Sequence, residues 1–213
     1  MVNNITSKKA QIAFGEEEIV LCGKDYIVDK IGAFKFKISA NSFFQTNTVQ
    51  AERLYRCILD FAELNSDHVV WDLYCGTGTI SLFLARKARF VYGFELLDST
   101  VQDALHNFQH NQQSNIKFIT GDLLHNIRNL DHSPDVLVTD PPRSGMHPKV
   151  CEAINKCGAQ RVVYVSCNPT TMARDVKLME NHYKLIKIQP VDMFPHTYHI
   201  ESVAQLVRKE CAS

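Results

Sequence analysis

The 213-residue sequence has no surplus of either charge: Lys and Arg together number 23, and so do Asp and Glu. Nucleic-acid-binding domains usually carry a visible basic surplus, so charge alone gives no sign of such a partner. It also has no apolar run approaching the roughly 18 residues of a membrane span. The opening MVNNITSKKAQIAF lacks the basic-then-apolar layout of a secretory leader, which makes the cytoplasm the expected compartment. No Cys-x-x-Cys pair occurs among Cys22, Cys57, Cys75, Cys151, Cys157, Cys167 and Cys211, so neither a zinc site nor an iron–sulfur cluster is expected. Internal repeats and low-complexity segments are missing too. What is present is ordinary: 45% hydrophobic and 22% charged residues exclude a disordered or fibrous chain. The length lies above one typical domain and below two.

Residues 11–38 read as a β-rich lead-in, in which Phe34, Phe36 and Ile38 alternate with lysines as in a half-buried strand. Val49, Leu54, Cys57, Ile58 and Phe61 fall near helical spacing and predict a helix over 46–64. Strands then alternate with helices. The strands are expected at 68–74, 90–96, 116–120, 135–140 and 161–167, and the helices at 79–88, 101–108, 148–157 and 170–180. Two further strands, 183–194 and 200–209, follow one another without a helix between them. Such alternation means βαβ units around a mostly parallel sheet, with ligands bound at the carboxyl ends of its strands. The last pair forms an antiparallel hairpin on the edge. The expected class is α/β with a seven-stranded sheet, an extension over 1–64 and the main domain over 65–213.

The turn after the first sheet strand reads Asp72-Leu-Tyr74-Cys-Gly76-Thr-Gly78-Thr79. Glycines let a backbone approach a ligand closely and aim the next helix at it. Glu95, closing the following strand, is placed to accept both hydrogen bonds of a ribose diol. A dinucleotide and S-adenosylmethionine both suit this arrangement. A dinucleotide fingerprint wants a third small glycine-like residue where Ser81 stands, and Asp72 at the strand tip repels a pyrophosphate while tolerating a sulfonium. Asp122 ends the third strand, where an adenine amino group would be met. The fourth strand runs into Asp140-Pro141-Pro142-Arg143, a stiff loop because two prolines fix φ and remove two donors. Amino-methyltransferases use a similar loop but follow it with an aromatic residue rather than Arg. The fifth strand ends in Ser166-Cys167-Asn168-Pro169, which puts Cys167 just before a helix N-terminus, a setting that favours thiolate. Among the cysteines it is the candidate nucleophile. Glu201, on the connection between the last strands, reads by itself as a surface acid.

Six segments together resemble the RNA uracil-C5 methyltransferases, which make 5-methyluridine in transfer and ribosomal RNA. They are SFFQTN (42–47), followed by Glu52 and Leu54–Tyr55, DLYCGTGTISL (72–82), GFE (93–95), TDPPRSG (139–145), YVSCNP (164–169) and DMFPHTYHIE (192–201). The resemblance implies a Rossmann-like fold of the S-adenosylmethionine-dependent methyltransferases. It implies that Cys167 is the nucleophile and Glu201 the base, and that Gln45, Tyr74, Thr79, Glu95, Asp122 and Asp140 hold the methyl donor, with Gly76 beside them. It also implies an RNA partner whose target uridine is single-stranded or flipped out of its stack. Family members often begin with a small RNA-gripping β-barrel, and some carry a four-cysteine cluster; neither fits ahead of residue 11. The expectation is a minimal member or a catalytic fragment that binds RNA weakly by itself. Other readings stay open at this point: an amino-methyltransferase acting through Asp140-Pro-Pro, a silent RNA- or donor-binding module, and a nicotinamide dehydrogenase.

Overall fold

The computed structural model describes residues 1–6, 15 and 17–210; Cys211 and part of the β-rich lead-in (11–14 and 16) lie outside them. Two small antiparallel pairs come first, β1 (Val2–Ile5) with β2 (Glu17–Val20) and β3 (Tyr26–Ile31) with β4 (Phe34–Ser39). Helix α1 (Thr48–Ala62) follows, and then β5 (Val69–Leu73), α2 (Thr79–Ala85), β6 (Phe90–Glu95), α3 (Asp98–His110) and β7 (Ile116–Thr120). The remainder is α4 (Leu123–Asn129), β8 (Val136–Thr139), α5 (Pro148–Lys156), β9 (Arg161–Ser166), α6 (Pro169–Met179), β10 (Tyr183–Val191) and β11 (Glu201–Arg208).

The main sheet has seven strands, as expected, and their order is β10-β11-β9-β8-β5-β6-β7. Strands β9, β8, β5, β6 and β7 are parallel, and β11 runs antiparallel between β9 and the edge strand β10. The chain leaves β5 toward β6 and β7, then crosses back to β8 and β9. The switch in strand order therefore lies between β5 and β8, where an open α/β sheet takes its ligand. All residues of β5 and β8 are buried, which is why both read as short continuous apolar runs.

Alternation sorts the side chains into two cores. Val70, Val138, Val163 and Val203 face α1 and β4; Trp71, Leu73, Leu137 and Tyr164 face the layer of α4, α5 and α6. Phe34, Phe36 and Ile38 join the first of these cores, with the Phe34 and Phe83 rings edge-on at 5.0 Å. Helix α3 closes the side of β4. Asn107 accepts from Lys37 N at 2.7 Å and donates to Lys37 O at 3.2 Å, while Asn111 accepts from Lys35 N at 3.0 Å and donates to Lys35 O at 2.7 Å. Residues four apart on a helix and two apart on a strand both repeat at about 6 to 7 Å, so two asparagines stand in for a neighbouring strand. Helix α4 was not foreseen. Its seven residues include only one fully buried side chain, Ile127, too little for a helical period to show.

Candidate active site at the carboxyl ends of the strands

A cavity of about 390 Å³ opens at the switch point. Gln45, Tyr74, Gly76, Thr79, Glu95, Asp140, Cys167 and Glu201 all line it, so every site residue singled out in the sequence except Asp122 comes to one place. Asp122 stands just outside. It is exposed at the end of β7, and its carboxylate caps α4 by accepting from His125 N at 2.8 Å. It remains within electrostatic reach of the cavity: the Tyr74 phenol is pushed up to about 12, by burial first and then by neighbours that include Asp122.

The turn from β5 into α2 reverses through three left-handed residues, Tyr74 (φ 61°), Gly76 (φ 55°) and Gly78 (φ 77°). For a tyrosine that conformation costs roughly 1–3 kcal/mol, and such strain clusters at functional sites. The two glycines do different work. A Cβ on Gly76 would meet nothing within 4 Å, so its backbone is bare toward the cavity. A Cβ on Gly78 would lie 2.9 Å from the Phe118 ring, so that glycine serves packing. Glu95 is fixed by three backbone donors, Gly76 N at 3.1 Å, Leu96 N at 2.8 Å and Leu97 N at 3.1 Å.

Asp72 is not at the strand tip where the sequence reading put it. Strand β5 continues to Leu73, and Asp72 is sealed beneath the turn at 0% exposure, with Ser81 Oγ donating to it at 2.5 Å. Ser81, which counted only as a missing glycine, is its partner. Burial pushes the Asp72 carboxyl up to about 7, the Ser81 hydrogen bond opposing. A carboxyl raised on folding binds its proton more tightly in the native state than in the unfolded chain. Its contribution therefore makes stability fall as pH rises from about 4 to about 7. Thermal melts of the ligand-free protein between about pH 5 and pH 8 should show that decline, and Asp72→Asn should make it shallower, with the raised Asp140 sustaining the rest.

Asp140, Cys167 and Glu201 come from three neighbouring strand ends, β8, β9 and β11. Ser202 pairs with Ser166 across β11 and β9, and one further step in that register sets Glu201 opposite Cys167. Opposed residues of an antiparallel pair present the same face, so thiol and carboxylate point the same way. Burial, then the charges of Glu201 and Asp72, push the Asp140 carboxyl up to about 7. Burial also raises Glu201. The Cys167 thiol is likewise raised, by burial first and then by Glu201 and Asp140, with Arg143 pulling it down. This corrects the expectation of a resting thiolate. One of the first donors of α6 is already engaged, because the Asn168 side chain accepts from Thr170 N at 3.1 Å, and burial together with the two carboxylates raises the thiol.

Phe43, Phe44, Tyr55 and Arg143 also line the cavity. Tyr55 comes from α1, and its hydroxyl donates to Thr79 Oγ1 at 3.2 Å. Phe43, Phe44 and Arg143 lie within the six segments, and Tyr55 in the Leu54–Tyr55 pair that follows the first of them. Three carboxylates, Glu95, Asp140 and Glu201, face the single cation Arg143 in this lining. That set repels a pyrophosphate and suits a cationic ligand that carries hydroxyl groups.

Helix α6 locks the Asp140–Met146 loop. Asp175, at 0% exposure, accepts from Met146 N and Tyr164 OH at 2.7 Å each and from Arg174 Nε at 2.8 Å. Arg174 Nη2 donates to Ser144 O and Met146 O at 3.0 Å, and Asn168 and Thr171 hold Arg143 O. Asp175→Ala leaves a tyrosine hydroxyl and a backbone N–H buried without partners. It should cost about 3 kcal/mol, read as a lowered urea midpoint.

The family model for tRNA (uracil-5-)-methyltransferases matches residues 5–209. The chain belongs to that family. A Clostridium tetani protein named as an uncharacterized RNA methyltransferase is 46% identical over 207 residues, which are 95% of this chain and 45% of that protein. A second so named, from Chlorobaculum tepidum, is 46% identical over 217 residues, 99% of this chain and 45% of the relative. The crystal structure of the Pyrococcus abyssi tRNA (uracil-54, C5)-methyltransferase, in complex with S-adenosyl-L-homocysteine, matches with a TM-score of 0.77 and 34% identity. That match covers 96% of this chain and 49% of the other. The chain thus spans about half the length of the relatives it matches. Each of the six segments that carry the resemblance supplies at least one residue to the cavity lining. Among the described residues no group of three or more His, Cys, Asp or Glu is arranged to hold a metal ion, and no helix is long and apolar enough to cross a membrane.

Proposed function

We propose that the chain transfers a methyl group from S-adenosylmethionine to carbon 5 of a uracil in RNA, transfer or ribosomal, through a covalent adduct between Cys167 and carbon 6. The observation that carries this reading is the gathering of Cys167, Glu201 and Asp140 at one cavity with the Gly76 turn and Glu95. Gln45, Tyr74, Gly76, Thr79, Glu95 and Asp140 are the residues that would hold the donor, with Asp122 at the rim toward the adenine. When bound there, S-adenosylmethionine supplies an electrophilic methyl group, and its sulfonium suits the acidic lining.

The chain's own residues supply the rest. Carbon 5 of uracil is too poor a nucleophile to accept a methyl group unaided. The Cys167 sulfur adds its electron pair to carbon 6, and the displaced π electrons give an enolate with carbanion character at carbon 5. Once carbon 5 carries both a methyl group and its proton, Glu201 accepts that proton. The C–H electron pair restores the double bond, and the carbon–sulfur bond breaks with its electrons returning to Cys167. Asp140 lines the cavity with Pro141 and Pro142, and those prolines would stiffen the loop against collapse into it. A uridine within a duplex cannot reach Cys167, so the target is single-stranded or flipped.

Fluorine at carbon 5 cannot leave as a proton, so Glu201 has nothing to accept from 5-fluorouracil. The chain incubated with S-adenosylmethionine and RNA containing 5-fluorouridine should give a donor-dependent protein–RNA complex that survives SDS. Protein that binds the donor by calorimetry but yields no such complex contradicts the adduct. Amino-methylation through Asp140-Pro-Pro has no use for Cys167 and leaves no complex of this kind.

A further inference from the structure

The connection that brings Glu201 to the cavity is tied at one point to the segment that brings Gln45. Asn47 Nδ2 donates to the Met193 carbonyl at 2.8 Å, joining residues 146 positions apart in sequence. Oδ1 of the same side chain accepts from Gln50 N at 3.2 Å and so caps α1. Met193 is 1% exposed, its side chain in the core shared by α1 and β11. Beyond it the connection is held by its own bonds. Thr197 N and Oγ1 each donate to Phe194 O at 2.9 Å, and His199 N donates to Thr197 Oγ1 at 3.2 Å. Its other large side chains point outward, with Tyr198 at 86% exposure. Among the described residues, Asn47 makes the one hydrogen bond between this connection and an element outside the β10–β11 pair.

We propose that Asn47 is a positioning residue for proton removal, its bond to Met193 fixing the connection so that Glu201 stands within reach of carbon 5. The inference rests on the reading of Glu201 as the base. A general base works only within hydrogen-bond reach of its proton, and a displacement of about 1 Å can cost on the order of a hundredfold in rate. The cap and the anchor sit on different atoms of one side chain, which makes them separable. Aspartate caps a helix as well as asparagine does but has no N–H to donate. Asn47→Asp therefore keeps the start of α1 and sets a carboxylate oxygen against the Met193 carbonyl, breaking the anchor alone. Asn47→Ala loses both.

The test uses the full chain, S-adenosylmethionine, and unmodified transcripts of transfer and ribosomal RNA made with hydrogen or deuterium at uridine carbon 5. Wild type, Asn47→Asp, Asn47→Ala and Glu201→Gln are compared. Asn47→Asp should melt about 2 to 8 °C below wild type but above Asn47→Ala, and keep its donor KM within about twofold, while kcat falls about tenfold. Its deuterium isotope effect on kcat should rise, and an SDS-stable adduct should build up on ordinary uridine, because proton removal has become slow. A kcat within twofold of wild type overturns the inference, as does a loss of kcat with an unchanged isotope effect and no adduct, the pattern of a purely structural role. If Glu201→Gln itself accumulates no adduct, the base reading fails and this inference fails with it. If Glu201→Gln accumulates adduct and Asn47→Asp does not, the assignment of Asn47 alone is overturned.

Discussion

Cys167→Ala should lower methyl transfer to RNA by at least about 10⁴-fold, while donor affinity stays within about twofold of wild type. Without a sulfur to add at carbon 6, carbon 5 keeps the low nucleophilicity of free uracil, and positioning alone does not replace that activation. Donor affinity should be kept because most of the proposed donor residues, Tyr74, Gly76, Thr79 and Glu95, follow β5 and β6, across β8 from Cys167. Single-turnover methylation, paired with calorimetry of donor binding, separates the two effects. If the variant kept a rate within tenfold of wild type, Cys167 would not be the nucleophile. Cys167→Ser should be as inactive as the alanine variant, since a hydroxyl of ordinary acidity does not ionise in this setting. The wild-type pH profile adds a second check. Burial and the two carboxylates raise the thiol above its ordinary value, so the reactive thiolate grows as pH rises and is scarce near neutrality. Turnover of the chain should therefore still be climbing above about pH 8.5.

The fold was legible because its strands are either wholly buried or cleanly alternating. Val69–Leu73 and Val136–Thr139 show as apolar runs, and Phe34-x-Phe36-x-Ile38 shows a period of two. Helix α4 escaped because seven residues hold too few buried positions to mark a face. The site was legible for a different reason. Its residues come from short segments whose chemistry is unusual locally, such as Asp140-Pro-Pro and Ser166-Cys167-Asn168-Pro169. What stayed hidden depends on pairs far apart in sequence. Asp72 owes its raised carboxyl to the depth of the turn above it. Cys167 is raised first by burial and then by Glu201, which strand register brings near, and local helix logic pointed the other way. Asn47 falls inside the helix expected over 46–64; the folded chain shows it capping α1 and bonding to Met193 as well.

Glu201→Gln should split the reaction into two halves that move in opposite directions. Glutamine has the same shape but accepts no proton at neutral pH, so release of product should slow by about 10² to 10⁴-fold. The methylated adduct should then accumulate on ordinary uridine, visible as an SDS-stable protein–RNA complex. Addition by Cys167 should not slow. The Glu201 charge is one of the causes that raise Cys167, so its removal leaves the thiol easier to ionise. At neutral pH the first half-reaction should run at least as fast as in wild type. The acid side of the profile carries the same logic. Burial raises the Glu201 carboxyl, so in wild type the base is lost by protonation at a higher pH than for an ordinary carboxylate. As pH falls through that raised value, product release slows on top of the loss of thiolate, so on this side wild-type turnover should fall more steeply than the thiolate fraction alone gives. In Glu201→Gln this added steepness disappears, because no carboxylate is left to protonate. A variant that released methylated RNA at the wild-type rate, with no adduct at any pH, would show that another group takes the proton, and Asp140 would be the next residue to replace.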